Sequence, residues 1–147
     1  MRKFVFLSLF CIAAFFVSIT HVAAQDFTSL QSAQGLTDHE YDNGAFIPYF
    51  SHYKDWSSGI SLTNLGTEEG FFTIAVWDQN GNPTGKGTFR VKPNASRADT
   101  LKGLILQGTV PAQGFVVIFG TETFEGARFS ANKKVGYDEF HFASQSY

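Results

Sequence analysis

From residue 45 onward the chain breaks into short segments in which apolar and polar residues alternate with a period of two, separated by Gly, Pro, Asn and Asp. In Trp56–Asn64, Ile60 and Leu62 alternate with Ser61 and Thr63, and Gly66 closes the segment. In Phe71–Asp78, Phe72, Ile74 and Val76 share one face while Thr73, Ala75 and Trp77 share the other. Gln79-Asn80-Gly81-Asn82 follows, and Asn-Gly tolerates the positive φ of a tight hairpin turn. The returning strand, Thr88–Lys92, sets Phe89 and Val91 against Thr88, Arg90 and Lys92. Ala45–Phe50 contains Pro48, which has no N–H for a ladder and so predicts an edge or a bulge. Phe115–Phe119 is apolar at every position, as in a strand buried on both faces. Phe124–Phe129 and Tyr137–Phe142 complete the series, the last with Phe140 and Phe142 inward and Glu139 and His141 outward. About seven strands result, which predicts an all-β, antiparallel β-sandwich of Ig-like or jelly-roll-like type. The sole helix candidate comes after the break at Pro93-Asn94-Ala95-Ser96, where Leu101, Leu104 and Ile105 suggest one helical turn or a covering loop.

The first 44 residues follow other rules. Arg2 and Lys3 precede an apolar run from Phe4 to Ile19, and Val22-Ala23-Ala24 supplies small residues for cleavage, the order of a secretory signal peptide. The run falls short of the roughly 20 residues of a bilayer-spanning helix, so cleavage after Ala24 is expected rather than a retained anchor. Cys11 does not make a lipoprotein signal, because Phe10 stands where a small residue is required. Residues 25–44 show no sustained period, and Thr37–Gly44 is polar and acidic, which predicts a flexible N-terminal arm or linker. The expected organisation is a signal peptide over 1–24, an arm over 25–44 and a sandwich over 45–147, secreted or periplasmic, with cell-surface association as a variant. Such an arm is either a disordered tail or a strand donor that pairs with a neighbour's edge to build a ring or filament.

Composition narrows the function classes. Without the leader the chain keeps 13 Asp and Glu but loses Arg2 and Lys3 from its 11 Lys and Arg, and the resulting acidic balance argues against a nucleic-acid partner. The one cysteine leaves with the leader, so the domain must stand on its core alone. No stable membrane span is expected after cleavage.

Catalytic and metal signatures do not assemble, and neither cofactor nor metal is expected. There is no Gly-x-Ser-x-Gly elbow. Asp99-Thr100-Leu101 has leucine where an aspartic protease turn needs glycine, and Gly85-Lys86-Gly87 opens no helix and reads as a flexible turn. Asp38-His39-Glu40-Tyr41-Asp42 lacks metal-ligand spacing and reads as a solvated acidic arm. Asp78-Gln79-Asn80-Gly81-Asn82 begins like a calcium loop, but Phe89 stands where the bidentate Glu belongs, which leaves a hairpin turn.

Phe46-Ile47-Pro48-Tyr49-Phe50, Trp56-Ser57-Ser58-Gly59-Ile60-Ser61-Leu62-Thr63-Asn64-Leu65-Gly66 and Val76-Trp77-Asp78-Gln79-Asn80-Gly81 resemble the bacterial β-sandwich family that includes the sensory rhodopsin transducer. Phe89-Arg90-Val91-Lys92-Pro93 and Leu101 also fit, and the similarity spans about Phe46 to Arg128. The resemblance implies a sandwich, a tendency to oligomerise and a binding role without settled chemistry; the signal segment departs from it. A non-enzymatic interaction or assembly module is therefore expected, with another copy or another extracytoplasmic protein as partner. The alternative is a carbohydrate- or small-ligand-binding module using Tyr53, Trp56 and Trp77, because aromatic faces stack on ligands at little entropic cost. Trp56 shares parity with Ile60 and Leu62, which favours a core role, whereas Trp77 is either solvent-facing or buried beneath another element.

Overall fold

A computed structural model describes residues 27–132 and 134–147; the expected signal segment, 1–24, lies outside the described residues. The alternating segments become strands β1 (Asn43–Ser51), β2 (Trp56–Asn64), β3 (Gly70–Asp78) and β4 (Pro83–Val91), followed by β5 (Ser96–Thr100) and a helical turn. After these come β6 (Gln107–Gly108), β7 (Gln113–Gly120), β8 (Phe124–Asn132), β9 (Gly136–Ala143) and β10 (Gln145–Ser146). They form an antiparallel sandwich of a six-stranded sheet, ordered β10-β1-β7-β3-β4-β6, on a four-stranded sheet, ordered β5-β2-β8-β9. The three strands beyond the expected seven carry little apolar pattern. β5 is exposed at every position, and β6 and β10 are two residues long.

Period two dictates the core. Ile47 and Phe50 of β1, Ile60 and Leu62 of β2, Phe72, Ile74 and Val76 of β3, and Val116 and Ile118 of β7 meet between the sheets. Phe140 and Phe142 pack against this core from β9 as their parity requires. Pro48 sits where the β1–β7 register slips between Ile47 and Phe50, so the missing N–H falls in a bulge. The β3–β4 turn uses Gly81 at φ 84°, and Asp78 Oδ1 accepts from the Asn80 and Asn82 amides (2.8 and 2.9 Å). The helical turn is α2 (Leu101–Leu104), capped by the Thr100 hydroxyl and burying Leu101 and Leu104.

The expectation of a flexible N-terminal arm is corrected. Residues 27–33 are helical (α1), and Phe27, Leu36 and Tyr41 are buried against Ala75, Trp77, Val117 and Phe119 on the outer face of the six-stranded sheet. The sequence pattern missed this because the apolar residues at 27, 30, 36 and 41 follow no single period: a short helix, a loop and the residues leading into β1 each contribute to one cover. Polar groups are matched as well as apolar ones. The Tyr41 hydroxyl lies 2.8 Å from Thr73 Oγ1, which lies 2.7 Å from Thr88 Oγ1. Lys86 Nζ donates to the Gln34 carbonyl (2.8 Å), so Gly85-Lys86-Gly87 lies within β4 and anchors the arm rather than forming a flexible turn. His39 of the acidic cluster stacks on Phe71 with ring centroids 3.8 Å apart. Tyr147 stacks on Phe27 (5.1 Å), and burial together with the charge of Asp42 pushes its hydroxyl pKa up to about 12. Gly44 is required beneath this cover, since a Cβ there would stand 2.5 Å from the Phe27 ring.

Trp77 belongs to this second core. It is 1% exposed and stacked on Phe115 with centroids 5.3 Å apart and planes 6° from parallel. Trp77→Ala is expected to destabilise the fold by about 3–5 kcal/mol, the usual cost of truncating a buried aromatic, read by urea unfolding followed by circular dichroism.

Candidate functional site

The bulge at Pro48 and the loop that follows β1 bring aromatic side chains to one end of the sandwich. Tyr49 lies in the bulge, Tyr53 in the loop and Trp56 at the first position of β2. With Ser51, Gln113, Arg128, Ser130 and Asp138 they line a cleft of about 240 Å³. Tyr49 and Tyr53 are 51% and 52% exposed, while Trp56 is half-buried. The structure therefore unites Tyr53 and Trp56 and separates them from Trp77, whose ring is enclosed on the outer face of the other sheet; Trp77 is withdrawn as a ligand platform. Trp56 is a cleft wall at the sandwich end, because the inward row of β2 outruns the apolar core there and meets Ser58 before Ile60.

Sequence reasoning missed the polar floor of the cleft. Arg128 occupies an inward position of β8 and is only 6% exposed. Its Nη2 donates to Asp138 Oδ2 and its Nη1 to Ser130 Oγ, both at 2.8 Å. Ser130 Oγ lies 2.7 Å from Ser58 Oγ, which donates to the Ser51 carbonyl (3.0 Å). Since the Ser58 proton is committed to Ser51, Ser130 donates to Ser58, and each group hands one donor toward the loop. The chain from Asp138 to Ser51 thus ties β9, β8 and β2 to the end of β1. Lys134 Nζ to Asp55 Oδ2 (3.1 Å) adds an exposed pair across the same end. The alternation Arg128-x-Ser130 facing Ser58 is the signal that was available, three polar residues at inward parity in strands otherwise turned to a core.

The loop itself is held by backbone and side-chain bonds. The His52 amide donates to the Ala112 carbonyl (2.7 Å), the Tyr53 amide to Ser51 Oγ (3.2 Å) and the Trp56 amide to the Tyr53 carbonyl (3.2 Å). Lys54 adopts φ 56°, the left-handed region, which costs a non-glycine residue about 1–2 kcal/mol, and its Nζ lies 5.1 Å from the Tyr53 ring centroid. Two buried side-chain nitrogens lack a partner among the described residues, His52 Nε2 and Arg128 Nε. One is in this loop and the other in the cleft floor. Burial, and secondarily the positive charge of Lys102, lower the His52 pKa below its ordinary 6.5.

Elsewhere, the larger hollow of about 510 Å³ is an open trough on the outer face of the four-stranded sheet, lined by small or polar side chains such as Ser61, Thr63 and Ala127. Phe142 and His141 are its ring-bearing lining residues, and neither Tyr nor Trp is among the described ones. Among the described residues no three His, Cys, Asp or Glu side chains gather as metal ligands, and no helix is long and apolar enough to cross a membrane.

A comparison with protein-family models finds no match, and one with curated proteins finds none. Solved structures do match. The chain shares its sandwich with Thermotoga maritima 1070. That crystal structure aligns with a TM-score of 0.56 at 12% identity, covering 74% of this chain and 97% of the other. The Anabaena sensory rhodopsin transducer is a more distant structural likeness, with a TM-score of 0.49 at 14% identity, covering 58% of this chain and 91% of the other.

Two outcomes test the cleft end. Asp138→Ala leaves the largely buried Arg128 guanidinium short of its charged partner and is expected to cost about 1.5–3 kcal/mol in urea unfolding, while the mostly exposed Glu125→Ala costs less than about 0.5 kcal/mol. His52, with its pKa depressed in the fold, adds stability that is present above 6.5 and is lost as pH falls from 6.5 through the depressed value. The urea midpoint is therefore expected to drop between about pH 7.5 and about pH 5 more in the parent chain than in His52→Leu.

Proposed function

We propose that this protein is a non-enzymatic, extracytoplasmic binding domain that holds a sugar ring of a glycan in the cleft of Tyr49, Tyr53 and Trp56. The observation that carries this reading is the convergence of three partly exposed aromatic side chains on a hydrogen-bonded Arg128–Asp138 floor. Aromatic faces accept the apolar C–H face of a sugar with two side-chain torsions each to order, and Asp138 and Gln113 offer an acceptor and an amide for its hydroxyls. The cleft volume, near 240 Å³, lies just below the ~300–1,000 Å³ of small-molecule pockets, which suits one ring rather than a long buried chain. Protein interaction or homo-oligomeric assembly, the first expectation from the sequence, draws less support from this end of the molecule. A standard protein interface takes ~800 Å² from each partner, far more than the cleft walls present.

The non-enzymatic reading is supported by the composition of the cleft. Among its described lining residues Asp138 is the one carboxylate, and it is engaged by Arg128; glycosidic cleavage generally employs a pair. The extracytoplasmic reading is supported by the signal pattern of residues 1–24.

Glycan-array binding with purified protein tests the reading. Tyr53→Ala and Trp56→Ala are each expected to weaken the strongest glycan signal by about tenfold or more, with Leu65→Ala, an exposed change distant from the cleft lining, leaving it unaltered. Absence of any glycan signal, or a signal indifferent to both aromatic substitutions, would overturn it.

A further inference from the structure

The two sheets end differently. The six-stranded sheet is bounded by β10 and β6, strands of two residues each. The four-stranded sheet is bounded on one side by β5, five residues adjoining α2, and on the other by the eight residues of β9. β9 pairs with β8 in unbroken register from Asn132↔Gly136 to Glu125↔Ala143, and among the described residues no strand pairs with its other side. It contains no proline, no lysine and no bulge, the usual devices that keep an edge from pairing. Its inward charge, Asp138, is already matched by Arg128. Val135, just before it, and Tyr137, at its second position, are 76% and 75% exposed.

We propose that β9 pairs antiparallel with β9 of a second copy of this chain, joining two four-stranded sheets into one sheet of eight strands across a two-fold axis. Charge chooses the register. With Phe140 on the axis, Glu139 stands opposite the partner subunit's His141, and the contact occurs twice by symmetry. Tyr137 then faces the partner subunit's Ala143, and Asp138 faces the partner subunit's Phe142. Moving the axis to Glu139 opposes two carboxylates, and moving it to Asp138 does the same on the inner face. Moving it to His141 opposes two imidazoles and leaves Glu139 against alanine. Glu139 and His141 already face the same side and pair within the chain, Oε1 to Nε2 at 3.3 Å, so the two-fold contact builds a cluster in which carboxylates and imidazoles alternate. On the inner face Phe140, which packs against the sandwich core, meets its symmetry mate and extends that core across the axis. Such pairing uses each edge once, which yields a closed dimer and not a filament.

Sedimentation velocity on the chain without residues 1–24, over a range of concentrations, tests the proposal independently of any ligand. The parent chain is expected to dimerise. Glu139→Lys, an exposed change that sets a lysine against the partner subunit's His141 twice, is expected to weaken dimerisation at least about tenfold, and the exchange Glu139→His with His141→Glu to restore it. Backbone amides of β9 should be slow to exchange hydrogen in the parent and fast in Glu139→Lys. A parent chain that stays monomeric at high micromolar concentration, or an oligomer indifferent to Glu139→Lys, overturns the proposal. An exchange variant that fails to recover dimerisation overturns the Phe140 register.

Discussion

A strand that is apolar at consecutive positions cannot be satisfied by one partner layer, and β7 is such a strand. Val116 and Ile118 enter the space between the sheets, while Val117 and Phe119 point the opposite way and need a cover of their own. Burial stabilises by roughly 25 cal/mol for each Å² of apolar surface removed from water, so an open outer face would forfeit several side chains' worth of it. The N-terminal segment supplies that cover with Phe27, Leu36 and Tyr41, and Tyr147 seals it from the far end of the chain. Two of the largest aromatic side chains, Trp77 and Phe119, are buried as a result. The domain is thus a sandwich with a partial third layer.

That third layer bears on where the proposed binding can take place. By removing the outer face of β3 and β7 from solvent it leaves aromatic side chains available where the sheets run out, at the bulge in β1 and the loop behind it. The end of a sandwich is also where polar groups enter the interior, because neither sheet has apolar residues left to pack. Ser58, Ser130 and Arg128 fill that space and hydrogen-bond one another instead of water. A buried polar chain of this kind holds its members in one arrangement, since losing any link leaves a buried donor or acceptor unmet at about 1–3 kcal/mol. Here the arrangement being held is the loop that carries Tyr53 and leads into Trp56.

His52 introduces a tension into the same loop. Its backbone is bonded to Ala112, yet its buried Nε2 has no partner among the described residues, and the nearby Lys102 further disfavours its charged form. The loop is accordingly most secure with His52 neutral. Acidification therefore acts on the mounting of the cleft.

The amino-acid sequence by itself determined the strands whose pattern has a period of two and the hairpin at Asn80-Gly81, and it narrowed Pro48 to an edge or a bulge and Leu101 and Leu104 to a helical turn or a covering loop. Each of these follows from interactions within a few residues, so it can be read along the chain. It also singled out Tyr53, in the loop, and Trp56, whose parity with Ile60 and Leu62 pointed to the core, as candidate binding residues. Only the tertiary structure decided the rest. Trp77 had one face in common with Thr73 and Ala75, and parity cannot say whether a second layer lies on that face; the layer comes from residues some 40 positions away with no period of their own. Arg128 and Asp138 are ordinary strand residues in sequence, and they become the floor of a cleft because β8 and β9 bring them together beside β1 and β2. Local periodicity encodes which way a side chain points; what stands opposite it is a property of contacts between distant segments.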